Sequence, residues 1–193
     1  MSKVLVDEIP KWMEETPISE YDKDFIKILD FYQFHALVPG QSARCKTIQE
    51  YGWSFPWKKP YWLNKQLKQT SSNYELLFSA KNQSCMEESL EKAGLKDNFP
   101  CDLDRERICV VDNRKNQFMS VFYHIRDSFA HGRFYLLDYK GNKVFVMEDV
   151  APNGGASKTV TARMIIRKET LLNWIELIMN GEKEYSKGEK SNG

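Results

Sequence analysis

Apolar side chains recur at helical spacing between residues 116 and 130. Positions three or four apart lie on one face of a helix, so this stretch would bury a single stripe. We predict a helix from about Asp112 to His131, because Asp112 or Asn113 can cap its first turn and Gly132 suits the left-handed position after its last turn. The apolar residues of the stripe are Phe118, Val121, Phe122, Ile125 and Phe129.

Four further segments show helical periodicity. The first begins at Ser19 and ends at Pro39-Gly40, and its apolar positions exceed one stripe, which predicts burial by the core and by a partner chain. We interpret His35 in this segment as a packed core or interface histidine. The other helices are predicted from Pro60 to about Lys68, from a capping box at Ser84 to Gly94, and from Leu171 to Gly181.

Two segments on either side of a glycine-containing turn predict a β-hairpin. Phe134–Tyr139 and Val144–Val150 flank the sequence Lys140-Gly141-Asn142-Lys143, in which the glycine suits a turn position with positive φ. The β-branched stretch Thr159–Ile166 predicts a third strand. The short apolar segment Tyr74–Ala80 is compatible with either a helix or a strand.

These elements together predict a mainly α fold. We expect an up-and-down helical bundle of four or five helices, with a small antiparallel β-hairpin or sheet inserted before the last helix. The length of 193 residues suits one domain, which we place at residues 1–181. Residues 182–193 are polar and rich in charge, and we expect a disordered tail there.

The charge balance excludes a protein that coats nucleic acid through a broadly basic surface. The chain has 28 Lys and Arg residues against 27 Asp and Glu residues, a net charge of +1, so RNA would contact a local cleft. Its four cysteines form no C-x-x-C pair or zinc-finger spacing with histidine, and Asp102, Asp104 and Glu106 lack the glycine and glutamate of a calcium loop. We therefore expect free thiols, no metal site and no cofactor.

The chain lacks the apolar segments that direct proteins to membranes. No stretch approaches the roughly 18 consecutive apolar residues of a membrane span. Asp7 and Glu8 interrupt the N-terminal sequence before an apolar run of signal-peptide length. We expect a cytoplasmic protein without a membrane partner.

Aromatic and lysine side chains are interleaved between Trp53 and Lys59. Such a segment can stack unpaired bases. Alternatively, its prolines can break it into a loop whose aromatic side chains fill the core. The sequence leaves the role of the Trp53–Trp57 segment open.

The densest group of reactive side chains lies near the end of the helix predicted to finish at His131. Within ten residues, His124 to Arg133 supply a fixed cation, a carboxylate and two of the chain's three histidines. Helical offsets of four and seven residues place His124, Asp127 and His131 in one narrow sector, whereas Arg126 is rotated by about 140° from His131. An imidazole can transfer protons at neutral pH, and a neighbouring carboxylate can fix which of its nitrogens carries the proton. A guanidinium can donate two parallel hydrogen bonds to the oxygens of a phosphate. These groups are the minimum for cleaving RNA without a metal, by attack of the 2′-hydroxyl on its own phosphodiester.

The sequence Arg126-Asp127-Ser128-Phe129-Ala130-His131 resembles the R-polar-x-x-x-H signature of the HEPN superfamily. Its continuation through Phe134 resembles the small stand-alone plasmid and phage-defence members. The resemblance implies a mostly helical, HEPN-like domain with metal-independent endoribonuclease activity, acting as a toxin or antiphage defence effector in toxin–antitoxin or abortive-infection systems. It also implies three partners: an RNA substrate, a second copy of the chain in a homodimer, and a cognate antitoxin protein.

The resemblance assigns roles to three residues. Arg126 and His131 match the two defining positions of the signature, and Asp127 occupies its polar position. His131 would transfer the proton of the 2′-hydroxyl or of the leaving group, and Arg126 would bind the scissile phosphate. Asp127 would orient the imidazole or Arg126, and the products would carry 2′,3′-cyclic phosphate and 5′-hydroxyl ends. We expect RNA contacts from the neighbouring polar residues His124, Ser128 and Arg133.

Two other interpretations of this cluster stay open. The first is a non-catalytic HEPN module that binds RNA, a nucleotide or a partner protein. The second is a structural dimer without a site. In that case Arg126 would be a helix-end cation and His131 would cap the last carbonyl groups.

Overall fold

The computed structural model describes residues 23–38, 44–54, 62–70, 77–97, 99–100, 102–112, 117–152 and 158–190. In these residues the chain forms a five-stranded sheet with helices on both faces. None of the described helices has the length and apolar character needed to cross a membrane.

The helical elements include one short π-helical turn, which we call the π-turn. The helices are α1 (Lys23–Asp30), the π-turn (Phe31–His35), α2 (Trp62–Thr70), a 3-10 turn (Gln83–Cys85), α3 (Met86–Ala93), α4 (Gln117–Ala130) and α5 (Lys168–Lys190). The strands are β1 (Leu77–Ala80), β2 (Arg107–Val111), β3 (Phe134–Tyr139), β4 (Asn142–Pro152) and β5 (Lys158–Arg167).

The predicted mainly α bundle is wrong, because a mixed sheet forms the centre of an α+β fold. The strand order is β1-β2-β5-β4-β3, in which β1 and β2 are parallel and all other neighbours are antiparallel. The predicted hairpin and third strand are present as β3, β4 and β5. The sequence prediction missed β2, which extends the sheet, and left β1 undecided between helix and strand.

Successive residues of the central strands face opposite sides of the sheet and enter two separate apolar clusters. Phe145 and Met147 of β4 pack toward α1, α2, α4 and α5, whereas Val144 and Val146 pack toward α3. Strand β5 is buried from Thr159 to Ile166 because both clusters cover it. A strand that is buried on both faces shows no clean alternation of apolar and polar residues.

The predicted left-handed glycines are confirmed. Gly132 has φ 65° just after α4, and Gly94 has φ 65° just after α3. The β3–β4 turn consists of Lys140 and Gly141, with φ 49° and 80°, because Tyr139 pairs with Asn142 across the hairpin. Positive φ at both central residues is the mark of a two-residue type I′ turn.

Other boundaries differ from the predictions. The turn before α3 is capped by Asn82, whose side chain accepts a hydrogen bond from the Cys85 amide, and not by Ser84. Gly181 interrupts α5 with φ 71°, as predicted, but residues 182–190 form a further helical segment where a disordered tail was expected. The predicted boundaries at Ser19, at Pro39-Gly40 and at Pro60 lie outside the described residues.

Trp53 belongs to the core. Its side chain is buried, and its indole nitrogen donates a hydrogen bond to the carbonyl of Ile178 in α5 at 3.1 Å. This position favours the core interpretation for the first residue of the aromatic segment. Residues 55–60, which hold the other aromatic and lysine side chains, lie outside the described part of the chain.

Candidate functional site

A local hydrogen-bond pattern closes the C-terminal end of α4. The amide of Gly132 donates to the carbonyl of Phe129 at 3.1 Å, and the amide of Arg133 donates to that of Ser128 at 2.8 Å. These are the two bonds of a Schellman motif, which requires a left-handed residue, here Gly132. The chain therefore passes through a short turn from α4 into β3, and His131 lies between the last helical residue, Ala130, and Gly132.

Arg126 and Asp127 form an ion pair near this end of α4. The Arg126 Nη1 atom donates to the Asp127 Oδ1 atom at 2.7 Å, and the two side chains are 21% and 12% exposed. Adjacent helical residues do not normally face each other, so the arginine side chain folds back over its neighbour. Of the two partners that the sequence left open for Asp127, the structure shows Arg126. The carbonyl of Arg126 also accepts a hydrogen bond from the side chain of Gln33 in the π-turn at 3.2 Å.

His131 is exposed to solvent. Its backbone amide donates the last helical hydrogen bond, to the carbonyl of Asp127 at 3.0 Å. Within the part of the chain that the structure describes, its imidazole has no hydrogen-bond or ion-pair partner. The ring is therefore accessible for proton transfer with a bound molecule.

His124 is held inside the protein. The ring is 1% exposed, with Nδ1 2.7 Å from Asp149 Oδ2 and Nε2 3.0 Å from the carbonyl of Val111. Ser128 is also buried, and its hydroxyl donates to the carbonyl of His124 at 2.8 Å. Neither of these two expected RNA contacts reaches solvent in this structure, because His124 joins α4 to β2 and β4 and Ser128 bonds within its own helix.

Asp149 accepts hydrogen bonds from three donors. The Thr161 hydroxyl lies 3.0 Å from Oδ2 and the Val150 amide lies 2.9 Å from Oδ1, in addition to the His124 ring. A bulge makes this possible: Asp149 pairs with Ala162 and Val150 with Val160, which leaves Thr161 as the extra residue of β5. Both ring nitrogens of His124 therefore have an oxygen partner inside the protein, the Asp149 carboxylate and the Val111 carbonyl.

Arg133 belongs to a second buried ionic group on the opposite face of the sheet. Its guanidinium binds the fully buried Glu148, whose other carboxylate oxygen accepts from Arg163 Nε at 3.0 Å. Arg163 Nη1 also donates to the carbonyl of Leu95 at 2.9 Å. Burial lowers the pKa of the Arg163 guanidinium, and the Glu148 charge opposes that shift. Arg133, the third expected RNA contact, thus anchors the chain that leaves α4.

The sequence prediction missed the residues that hold this helix end in place. Glu148, Asp149, Thr161 and Arg163 are polar residues in two strands that are otherwise mostly apolar and buried. The sequence contained one indication of these buried polar residues, because two consecutive carboxylates follow the apolar run Val144–Met147. A buried carboxylate needs partners, so these two side chains required hydrogen-bond donors or cations from other residues.

The described residues contain no group of three histidine, cysteine or acidic side chains that could hold a metal ion. Cys45, Cys85 and Cys109 are free thiols, and Cys101 lies outside the described residues. Burial raises the pKa of the Cys109 thiol to about 12. The thiolate is the nucleophilic form, so Cys109 is an unreactive core residue at neutral pH.

Comparisons with protein-family models, with curated proteins and with solved structures found no match to this chain. We therefore infer its function from the arrangement of its own side chains. The C-terminal end of α4 carries the exposed His131 and the largely buried pair of Arg126 and Asp127, whereas His124, Ser128 and Arg133 have structural contacts.

Replacement of Asp149 tests whether its buried contact with His124 anchors α4. Asp149→Asn should lower the free energy of unfolding by about 1.5–3 kcal/mol, because it removes a hydrogen bond to a charged group. Asp138→Asn is the matched control, since Asp138 is exposed and pairs with Lys143 at 3.0 Å on the surface, and it should change stability by no more than about 0.5 kcal/mol. Urea unfolding at neutral pH measures the free energy of unfolding of both variants, and equal losses would contradict this anchoring role of Asp149.

Proposed function

We propose that this protein is a metal-independent endoribonuclease with its catalytic site at the C-terminal end of α4. The observation that carries the proposal is a solvent-exposed imidazole, His131, at the helix end that also holds a guanidinium fixed by a carboxylate, Arg126 with Asp127. The resemblance of residues 126–131 to the HEPN signature supports the same chemistry. The fold gives no such support, because the helical bundle that the resemblance implied is absent from the described structure.

In the proposed reaction His131 removes the proton of the RNA 2′-hydroxyl, and the freed oxygen attacks the adjacent phosphorus. The bond from phosphorus to the 5′-oxygen breaks, and that oxygen takes up a proton. The products are a 2′,3′-cyclic phosphate and a 5′-hydroxyl. Arg126 binds the phosphate oxygens where negative charge accumulates, and Asp127 positions the guanidinium for that contact.

The active species in this proposal is a homodimer. The end of α4 carries one exposed imidazole, whereas cleavage requires both a base and an acid. Two copies of this end across a two-fold axis would supply both groups and would concentrate positive charge in a chain whose net charge is +1. The exposed side chains of Ile26 and Phe34 provide apolar surface that a partner would bury.

The biological role proposed from the resemblance is that of a toxin or antiphage effector. It would act on cytoplasmic RNA and be held in check by a cognate antitoxin protein. A second candidate function is binding of RNA, a nucleotide or a partner protein without cleavage. This candidate needs no proton transfer by His131, and it would follow if Asp127 kept the Arg126 guanidinium away from the scissile phosphate.

RNA cleavage should proceed in excess EDTA, and His131→Ala should abolish it. The melting temperature should stay nearly unchanged, because an exposed side chain at a helix end contributes little to folding. Gel analysis of single-stranded RNA, with end-group analysis for the cyclic phosphate, measures the activity. Cleavage only after a divalent ion is restored would refute the mechanism. RNA binding without cleavage by the wild type would favour the second candidate function.

Overexpression should arrest bacterial growth, and Arg126→Lys should relieve the arrest. Lysine keeps the charge but loses the planar, two-pronged contact with phosphate. Arg105→Lys is a matched control at an exposed arginine outside the site, and it should leave the arrest intact. Colony counts after induction, with immunoblots for equal expression, provide the comparison. Equal arrest by the wild type and by the Arg126→Lys/His131→Ala double variant would show that this site is not the cause.

Specific activity should fall when the protein is diluted below the dissociation constant of its dimer, because one chain supplies only one of the two imidazoles. Light scattering across a concentration series gives the population of dimer, and the cleavage rate is measured in the same samples. The two curves should coincide. A monomer of 22.7 kDa that cleaves at the full rate would exclude the shared site.

A further inference from the structure

A cavity of about 270 Å³ lies between α1 with the π-turn, the loop at residues 44–54 and α5. None of the residues proposed for RNA cleavage lines it. Its size is just below the range of about 300–1,000 Å³ that is typical of small-molecule sites. The π-turn, which ends the helix that α1 begins, forms part of its wall.

The walls of the cavity are apolar and include two aromatic rings. Phe31 and Tyr51 have ring centroids 6.3 Å apart, and Ile175 and Met179 complete the apolar lining. Met179 is 57% exposed at this site, and a thioether adapts its shape to an aromatic neighbour. These walls fit the flat, apolar body of an aromatic molecule.

Tyr51 contributes an uncharged ring to the wall of the cavity. Its hydroxyl donates to the carbonyl of His35 at 2.7 Å. Burial raises the pKa of Tyr51 to about 12, and the neighbouring Cys45 and Glu50 act in the same direction. The phenol therefore remains protonated at physiological pH, and the ring presents no negative charge to a ligand.

The lining of the cavity holds two lysines, one histidine and one aspartate. Lys27 is paired with Glu176 at 3.3 Å, and His35 Nε2 lies 3.5 Å from the carboxylate of Asp30. Lys46 lies with its ammonium 5.6 Å from the centroid of the Tyr51 ring. Among the described residues no carboxylate lies within ion-pair distance of Lys46, so this ammonium is the cation that a ligand can engage beside the aromatic wall.

We propose that this cavity binds a small aromatic anion, one that carries a carboxylate or a phosphate ester. The ring lies against Phe31, Tyr51 and Met179, and the anionic group binds Lys46. The volume of about 270 Å³ admits a single ring or ring pair and excludes a longer oligonucleotide. This site does not depend on the proposed RNA cleavage, because it shares no residue with the end of α4.

Titration of the full chain with benzoate and with phenyl phosphate, followed by the backbone amide signals in NMR, tests the site and separates the two kinds of anion. Signals of residues that line the cavity should shift in a saturable manner at millimolar ligand. Benzamide, a neutral analogue of benzoate, should bind at least about tenfold more weakly, since it lacks the charge-assisted contact. Lys46→Gln should weaken binding of the preferred anion by about tenfold.

Lys92→Gln is the matched control, because Lys92 is an exposed lysine of α3 that does not line the cavity. This variant should bind the preferred anion as the wild type does, and unchanged spectra outside the cavity would show that both lysine variants are folded. The proposal is overturned if neither anion gives saturable shifts at the cavity. It is also overturned if benzamide binds as tightly as the anions, or if Lys46→Gln retains full affinity.

Discussion

Two adjacent carboxylates on β4 hold the C-terminal half of α4 and the residue that follows its end. Asp149 contacts the helix on one face of the sheet, and Glu148 contacts Arg133 on the other face. Successive strand residues face opposite sides, so Asp149 meets His124 on the helix while Glu148 meets Arg133 just after it. A buried charge without a partner is strongly unfavourable. The position of this helix end is therefore set by buried polar contacts as well as by apolar packing.

These contacts with β4 determine which polar residues between His124 and Arg133 are buried and which lie at the end of the helix. His124 and Arg133 are drawn into the interior, and Arg126 and His131 remain at the helix end. The sequence pointed to this group of polar residues, but it could not show which of them are buried against other elements. The contact between His124 and Asp149 joins residues 25 positions apart, and that between Arg133 and Glu148 joins residues 15 positions apart. A local sequence pattern contains no information about such distant partners.

The same distinction between local and distant contacts explains which elements of the fold could be predicted from the sequence. Gly132 and the hairpin turn were predictable because a positive φ is a requirement of one residue and its neighbours. Strand β2 was not predictable in this way, since Ile108 and Val110 enter one apolar cluster and Cys109 enters the other. A short strand that is buried on both faces has no periodicity of its own, and only its pairing with β1 and β5 defines it.

Because of the π-turn, the structure depends on the number of residues between Phe31 and His35. A π-helical turn accommodates more residues than an α-helical one, and each residue of an α-helix rotates the chain by about 100°. Deleting one residue between Phe31 and His35 would let α1 continue as a regular helix, but it would turn the carbonyl of His35 away from Tyr51. Insertions and deletions in this turn should therefore be tolerated less well than substitutions, even though its middle residues Gln33 and Phe34 are partly exposed.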